Sequence, residues 1–317
     1  MALCFVTRRL PGDAVARLRA EHDVDVWPGE LPPSPQELRD RCANAEGLLC
    51  LLTEQIDAEL LAAAPRLRAV SNFAVGTDNI DVAAVRARGI EIGVTPDVLT
   101  GATADLAFAL MMAVARRLPE AEAAVRDGGW RTWEPQGWLG VDVHGATLVI
   151  VGPGRIGAAV ARRAAGFDMR VLTVGRHDDL HAALAQADFV SLHTPLTAAT
   201  RHLLDAEALA VMKPTAVLVN TARGAVVDQV ALAAALHEGR LGGAGLDVTD
   251  PEPLPPDDPL LQAPNVIVVP HIGSATLAAR SRIADLAVEN LLAGLAGQPL
   301  PHAAPAPAPA SRTSPGS

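Results

Sequence analysis

Three segments in the second half of the chain carry side chains able to hold an anion and move a proton. Asn220-Thr221-Ala222-Arg223-Gly224 follows the apolar run Val217–Asn220. The planar guanidinium of Arg223 can grip a carboxylate through two parallel hydrogen bonds and polarise an adjacent carbonyl. Gly245-Leu246-Asp247-Val248-Thr249-Asp250-Pro251-Glu252-Pro253 comes next, and its two prolines keep Glu252 in an extended loop. Pro270-His271-Ile272-Gly273-Ser274 lies just past another apolar run, Val266–Val269. A carboxylate beside an imidazole stabilises the protonated ring. Such a ring can donate a proton near neutral pH. Arg223, Glu252 and His271 together therefore suit acid catalysis on an anionic carbonyl compound. Taken singly, each also reads as a structural ion pair, a surface glutamate or a loop histidine.

Upstream stands Gly152-Pro153-Gly154-Arg155-Ile156-Gly157, a GxGxxG. It follows the apolar run Thr147–Val151 and opens the alanine-rich stretch Arg155–Ala165, the context a dinucleotide fingerprint requires. Gly152 permits the tight turn, Gly154 lets backbone approach a pyrophosphate, and Gly157 lets helix and strand pack closely. The helix start then offers free N–H groups to the phosphates. An acidic residue at the end of the second strand would bind the ribose hydroxyls of NAD(H). That strand is expected to end near Val174, where Gly175, Arg176 and His177 follow. Arg176 can pair with a 2′-phosphate, so NADP(H) is expected to be preferred. Asp178 and Asp179 can also reach back, which keeps NAD(H) open.

These segments need a scaffold. Short apolar runs (Leu3–Thr7, Leu48–Leu52, Arg68–Asn72, Ile90–Val94) alternate with helical spacing (Gly12–Glu21, Ile56–Ala64, Val82–Arg88) through the first hundred residues. A second such series runs from Ala146, with Arg170–Val174, Phe189–His193 and Gly243–Asp247 among its strands. Strands alternating with helices imply parallel sheets, and 317 residues suggest two domains. Ala74–Asn79, after the third run, contains Gly76 and can present backbone N–H groups to an anion or simply cap the next helix. Val98–Leu118 is long and apolar, but Asp105 interrupts it and Arg116 and Arg117 close it, so a buried helix is expected and not a membrane span. The helical spacing of Ala278–Leu295 permits a return to the first domain. Pro301–Ser317 is rich in Pro, Ala and Ser and is expected to be a disordered tail. A formal charge of −10 argues against a nucleic-acid partner. Three cysteines, Cys4, Cys42 and Cys50, with no CxxC and no signal peptide, suggest free thiols in the cytoplasm. No metal-ligand spacing is present.

From about Leu48 to Pro301 the chain resembles the D-2-hydroxyacid dehydrogenase family, and most of all its glyoxylate/hydroxypyruvate reductase branch. The motifs carrying the resemblance are Asn72–Asp81, Thr95–Thr100, Arg116–Glu120, Gly128–Trp130, Gly152–Gly157, Thr221–Gly224, Gly245–Pro253 and Pro270–Thr276. The resemblance implies reduction of small 2-keto acids, with Arg223 holding the keto acid, Glu252 paired with His271, and His271 as general acid. It implies that Val75 and Gly76 bind the substrate carboxylate and that Ser274 lies near the substrate. It implies that Thr194, Pro195, Thr221, Asp247 and Gly273 line the cofactor beside Gly152, Gly154, Arg155, Ile156, Gly157, Arg176 and His177. The implied fold is two doubly wound parallel-sheet domains, a Rossmann-type cofactor domain (98–279) inserted into a flavodoxin-like substrate domain (1–97 and 280–300). A homodimer is implied, with Trp138 reaching the neighbouring subunit's active site. The chain departs from the family in a short Arg176–Leu184 segment, which trims the region beside the adenosine, and in Pro153 where leucine is usual. An absent tyrosine sets it apart from D-lactate dehydrogenases. A nucleotide-sensing corepressor-like binding protein on the same fold is the alternative reading.

Overall fold

The computed structural model describes residues 1–305. Contacts divide the chain into two units, Met1–Val98 with the chain from Thr276 onward, and Leu99–Ala275. The second unit is thus an insertion within the first.

The first unit alternates β1 (Leu3–Val6), α1 (Ala14–Glu21), β2 (Asp23–Val26), α2 (Pro35–Cys42), β3 (Gly47–Cys50), α3 (Ala58–Ala63), β4 (Ala69–Asn72), α4 (Val82–Ala87) and β5 (Ile92–Gly93). Its parallel sheet has the order β2-β1-β3-β4-β5. The carboxy-terminal helix Leu277–Leu295 packs on β3, β4 and α1 and closes one face around Val6, Leu18, Leu49 and Leu291. Leu48, Ile56, Leu60, Val85 and Ile92 fill the other. Residues 301–304, expected to begin the disordered tail, are ordered. Ala303 bridges antiparallel to Gly93, Val94 N–H donates to His302 O (2.9 Å), and Ala304 N–H donates to Ile92 O (2.7 Å). Backbone pairing with the sheet edge supplies the order that this stretch's composition could not. The rest of the expected tail, 306–317, lies outside the described residues.

The second unit opens with α5 (Thr100–Ala115) and α6 (Leu118–Arg126). The expected single helix to Leu118 breaks at Arg117, whose φ of 50° is left-handed, with Pro119 in the first turn beyond. Then come β6 (Thr147–Val151), α7 (Arg155–Ala164), β7 (Arg170–Val174), α8 (Leu180–Leu184), β8 (Phe189–Leu192), α9 (Ala206–Ala210), β9 (Val217–Asn220), α10 (Gln229–His237), β10 (Gly243–Leu246) and β11 (Val266–Val268). The all-parallel order is β11-β10-β9-β8-β6-β7. Val149, Leu192, Leu218 and Leu236 fill one face, and Ile150, Phe189, Val219 and Met111 of α5 fill the other. The order reverses at β6, between β7 and β8, and ligands of open α/β sheets bind outside the carboxyl ends of strands at such a point. The short segment after β7 returns directly to β8, so β7 is the edge of the sheet among the described residues.

Among the described residues no helix is long and apolar enough to cross a membrane, and no cluster of metal-ligating side chains occurs. All three thiols are free and buried. Burial pushes Cys4 up to about 11 and Cys42 up to about 12, so neither acts as a nucleophile near neutral pH.

Candidate active site

The glycine turn sits at the reversal of the second sheet. Gly152 N–H donates to Val174 O at the end of β7 (2.9 Å), and Gly152 has φ 90°, open to glycine and costly for other residues. A Cβ there would lie 2.7 Å from the His193 carbonyl, and one at Gly157 2.4 Å from the Gly152 oxygen. A Cβ at Gly154 would meet nothing within 4 Å, so space opens at the middle glycine alone of the three. The helix that follows has no side-chain cap, whereas α8, α9 and α10 are capped by Asp179, Asp205 and Asp228. Its first N–H groups therefore face the open space over Gly154, the arrangement that accepts phosphate. Arg155 is exposed and Ile156 half-buried in that first turn.

Two buried polar atoms at neighbouring strand ends have no protein partner, Thr221 Oγ1 after β9 and His193 Nδ1 after β8. Buried polar atoms are normally paired, and two orphans beside a glycine turn point to a ligand with polar edges. Burial pushes His193 down to about 4, so its ring is neutral, and Nε2 contacts Ser191 Oγ at 2.8 Å. Thr194 is half-buried and Pro195 exposed on the same strand exit. These features fit a dinucleotide lying across the carboxyl ends of β6, β8 and β9.

The candidate acid–base residues stand on the next strand ends of the same unit. His271 Nδ1 lies 2.9 Å from Glu252 Oε2. A carboxylate only accepts, so Nδ1 carries the proton of that bond and Nε2 is the position that gains or loses one. Glu252 Oε1 accepts Thr249 N–H (3.2 Å). Burial pushes the Glu252 carboxyl up, but the His271 hydrogen bond and charge, the Thr249 N–H and the Arg223 guanidinium outweigh it and hold the group below its ordinary value. Glu252 is therefore ionised near neutral pH.

Asp247 anchors the histidine loop. Its carboxylate accepts the N–H groups of Ile272 (2.6 Å) and Gly273 (2.8 Å), and its carbonyl accepts His271 N–H (2.9 Å). These bonds hold His271 at φ 51°, a left-handed conformation uncommon for a side-chain-bearing residue. Burial raises the Asp247 carboxyl above its ordinary value in spite of these donors. Gly273 is buried beneath the carboxylate and Ser274 half-buried beyond it.

Arg223 is aimed by its own turn. Asn220 Oδ1 accepts Ala222 N–H (3.0 Å), Asn220 Nδ2 donates to Arg223 O (2.9 Å), and Arg223 Nη1 donates to Ala222 O (2.8 Å). A Cβ at Gly224 would fall 1.9 Å from Thr249 O. Only a glycine lets the arginine turn press on the backbone that leads into the Glu252 loop. The residues signalling this contact, Gly224 and Thr249, are visible in the sequence, but their closeness is not.

In the first unit, Val75 is exposed and Gly76 half-buried on the loop after β4. Asn72 Nδ2 donates to Gly76 O (2.9 Å) and Asn79 Oδ1 (3.1 Å). Asn79 Nδ2 donates in turn to Leu51 O and Glu54 O (both 2.9 Å). Buried Glu54 accepts Thr7 Oγ1 (2.5 Å) and Leu51 N–H (2.7 Å), which ties this loop to the ends of β1 and β3. Sequence reasoning missed Asn72, Asn79 and Glu54 as loop anchors. Arg176 and His177 are exposed beyond β7, and Trp138 is 40% exposed with φ 48°.

The profile of the family described as D-isomer specific 2-hydroxyacid dehydrogenase, NAD binding domain, matches residues 108–273. A glyoxylate reductase of Korarchaeum cryptofilum is 50% identical over 312 residues, covering 94% of each chain. A Thermus thermophilus protein of solved structure is 50% identical with a TM-score of 0.91, over 95% of this chain and 99% of that one. An NADPH-dependent glyoxylate/hydroxypyruvate reductase of Sinorhizobium meliloti, solved with NADP and malonate, is 31% identical with a TM-score of 0.82, over 95% and 96% of the two chains.

Proposed function

The chain belongs to the D-isomer-specific 2-hydroxyacid dehydrogenases, and from that premise we propose that it reduces small 2-keto acids, glyoxylate and hydroxypyruvate, to 2-hydroxy acids with NAD(P)H. The observation that carries this reading is the 2.9 Å Glu252–His271 pair in the same unit as an uncapped glycine turn. When bound, the nicotinamide supplies a hydride to the carbonyl carbon. His271 Nε2 gives its proton to the carbonyl oxygen, so the C=O π bond gives way to a C–H and an O–H bond while the C–O single bond remains. Arg223 holds the substrate carboxylate and polarises the carbonyl. Ser274 lies beside the substrate carboxylate. Thr221 and the exits of β6 and β8 hold the dinucleotide. The glyoxylate reductase names of the relatives favour this reading over a nucleotide-sensing binding protein. Steady-state turnover of glyoxylate, hydroxypyruvate and pyruvate with NADH and NADPH tests it, and no oxidation of either dinucleotide with any of them would overturn it.

Gly175 and Arg176 support a preference for NADP(H), with NAD(H) also accepted. Trp130, Trp133, Trp138 and Leu139 are 40–78% exposed on one segment of the second unit. A cluster of that kind suits a second copy of the chain, so a homodimer with Trp138 at the partner's active site is expected. A monomer in sedimentation equilibrium at micromolar concentration would remove this part. Three buried free thiols suit a reducing cytoplasm.

Glu252→Gln gives a pH signature. Ionised Glu252 favours the protonated imidazole, and an amide does not. Reduction requires the proton on Nε2, so the pH above which kcat/KM for reduction falls should move down. In the oxidation direction the deprotonated ring is required, so that activity should begin to rise at lower pH. Profiles that stay in place in both directions would show that the pair is not coupled.

A further inference from the structure

Of the two carboxylates that follow β7, Asp178 and Asp179, one is turned back onto the strand end. β7 ends at Val174, whose carbonyl accepts Gly152 N–H, so position 175 lies directly beside the phosphate turn. An acidic side chain growing from 175 would address the adenosine ribose, but the residue is glycine. Its N–H donates to Asp178 Oδ2 at 2.7 Å. A Cβ built on Gly175 would lie 3.4 Å from that same oxygen. The Asp178 carboxylate therefore lies in contact with the place where a side chain at 175 would begin. Asp179 is engaged elsewhere, its Oδ1 accepting Ala182 N–H at the start of α8 (3.0 Å). The short return from β7 to β8 leaves Asp178 and Arg176 exposed at the edge of the sheet.

We infer that Asp178 is a specificity-determining residue for the dinucleotide, a carboxylate supplied from three positions beyond the usual one. It accepts a ribose hydroxyl of NAD(H) and opposes the 2′-phosphate of NADP(H). Arg176 acts in the other direction, because its planar fork gains charge-assisted bonds only when that phosphate is present. The two side chains leave the native protein with a narrow preference for NADP(H) and real use of NAD(H). The inference rests on the reading that the dinucleotide binds at the Gly152–Gly157 turn.

The test is equilibrium binding of NADPH and NADH to the protein without keto acid, followed by nucleotide fluorescence at low ionic strength. Asp178→Asn retains an acceptor for Gly175 N–H and removes only the charge. NADPH should then bind about tenfold or more tightly, the scale of one relieved like-charge contact, while NADH binds equally or more weakly. Arg176→Ala should weaken NADPH and leave NADH within about threefold, since it removes a partner only the phosphate uses. If both dinucleotides bind Asp178→Asn but their ratio matches the native protein's, the inference is wrong. If neither binds the native protein, the dinucleotide reading itself fails.

Discussion

Replacing His271 with alanine should lower kcat for keto-acid reduction by about 10²–10⁴-fold while dinucleotide binding survives, the usual loss when a positioned general acid is removed. The expectation follows from the ring's geometry. Glu252 fixes Nδ1 as the protonated partner of a 2.9 Å bond, which leaves Nε2 as the one ring position able to exchange a proton with substrate. Asp247 holds the loop through three N–H groups, so the ring's placement does not depend on the ring itself. Alanine should thus leave the loop folded and delete only the proton donor. The developing alkoxide would then take its proton from water. His271→Gln, whose amide extends about as far as Nε2 but cannot titrate, should remain as slow as alanine. A kcat within a few-fold of the native value in either variant would take His271 out of the chemistry. Loss of NADPH or NADH binding along with activity would show that the ring is structural.

Much of this site is legible in the sequence because its chemistry sits at strand ends. Val217–Asn220, Gly243–Leu246 and Val266–Val268 are short apolar runs, and each releases a polar residue into the next loop. The glycine turn is legible for the same reason, since Gly152 and Gly157 answer to steric needs that no other residue meets. Weakly patterned elements escape notice. β2 is Asp-Val-Asp-Val at a sheet edge, only partly buried, and offers no apolar run. α2 does carry a signal, Pro at its start and a Ser34–Glu37 capping box, which a search for apolar spacing passes over. Long-range contacts leave no local trace. Nothing near Gly224 announces that Thr249 O will press against it, and nothing near Asp247 announces that Ile272 and Gly273 will donate to its carboxylate. The stretch 301–304 shows the limit of composition, because its order comes from backbone bonds to the β5 edge and from distant side chains, Asn290 Oδ1 accepting His302 N–H (2.9 Å) and Arg86 Nη2 donating to Ala304 O (2.7 Å).

Arg223→Ala should raise KM for the keto acid by about 10²-fold or more, given about 1.5–3 kcal/mol for each hydrogen bond to a charged group. KM for the dinucleotide should stay within a few-fold. Arg223→Lys should recover only part of the loss, because an ammonium keeps the charge but cannot form two parallel bonds to one carboxylate. The two variants also separate charge from shape through Glu252. Burial raises that carboxyl, and the His271 hydrogen bond and charge, the Thr249 N–H and, as the smallest contribution, the Arg223 guanidinium bring it below its ordinary value. Removing the guanidinium lets the Glu252 value rise. Ionised Glu252 is what favours the charged imidazole, so the acid-side loss of kcat/KM should begin at higher pH in Arg223→Ala. Arg223→Lys retains a positive charge there, so its acid limb should stay near the native one while its KM remains high. A lysine variant with native KM would mean that the fork is not what holds the substrate. An unmoved keto-acid KM in both variants, with the dinucleotide KM raised, would assign Arg223 to the cofactor and not to the substrate carboxylate.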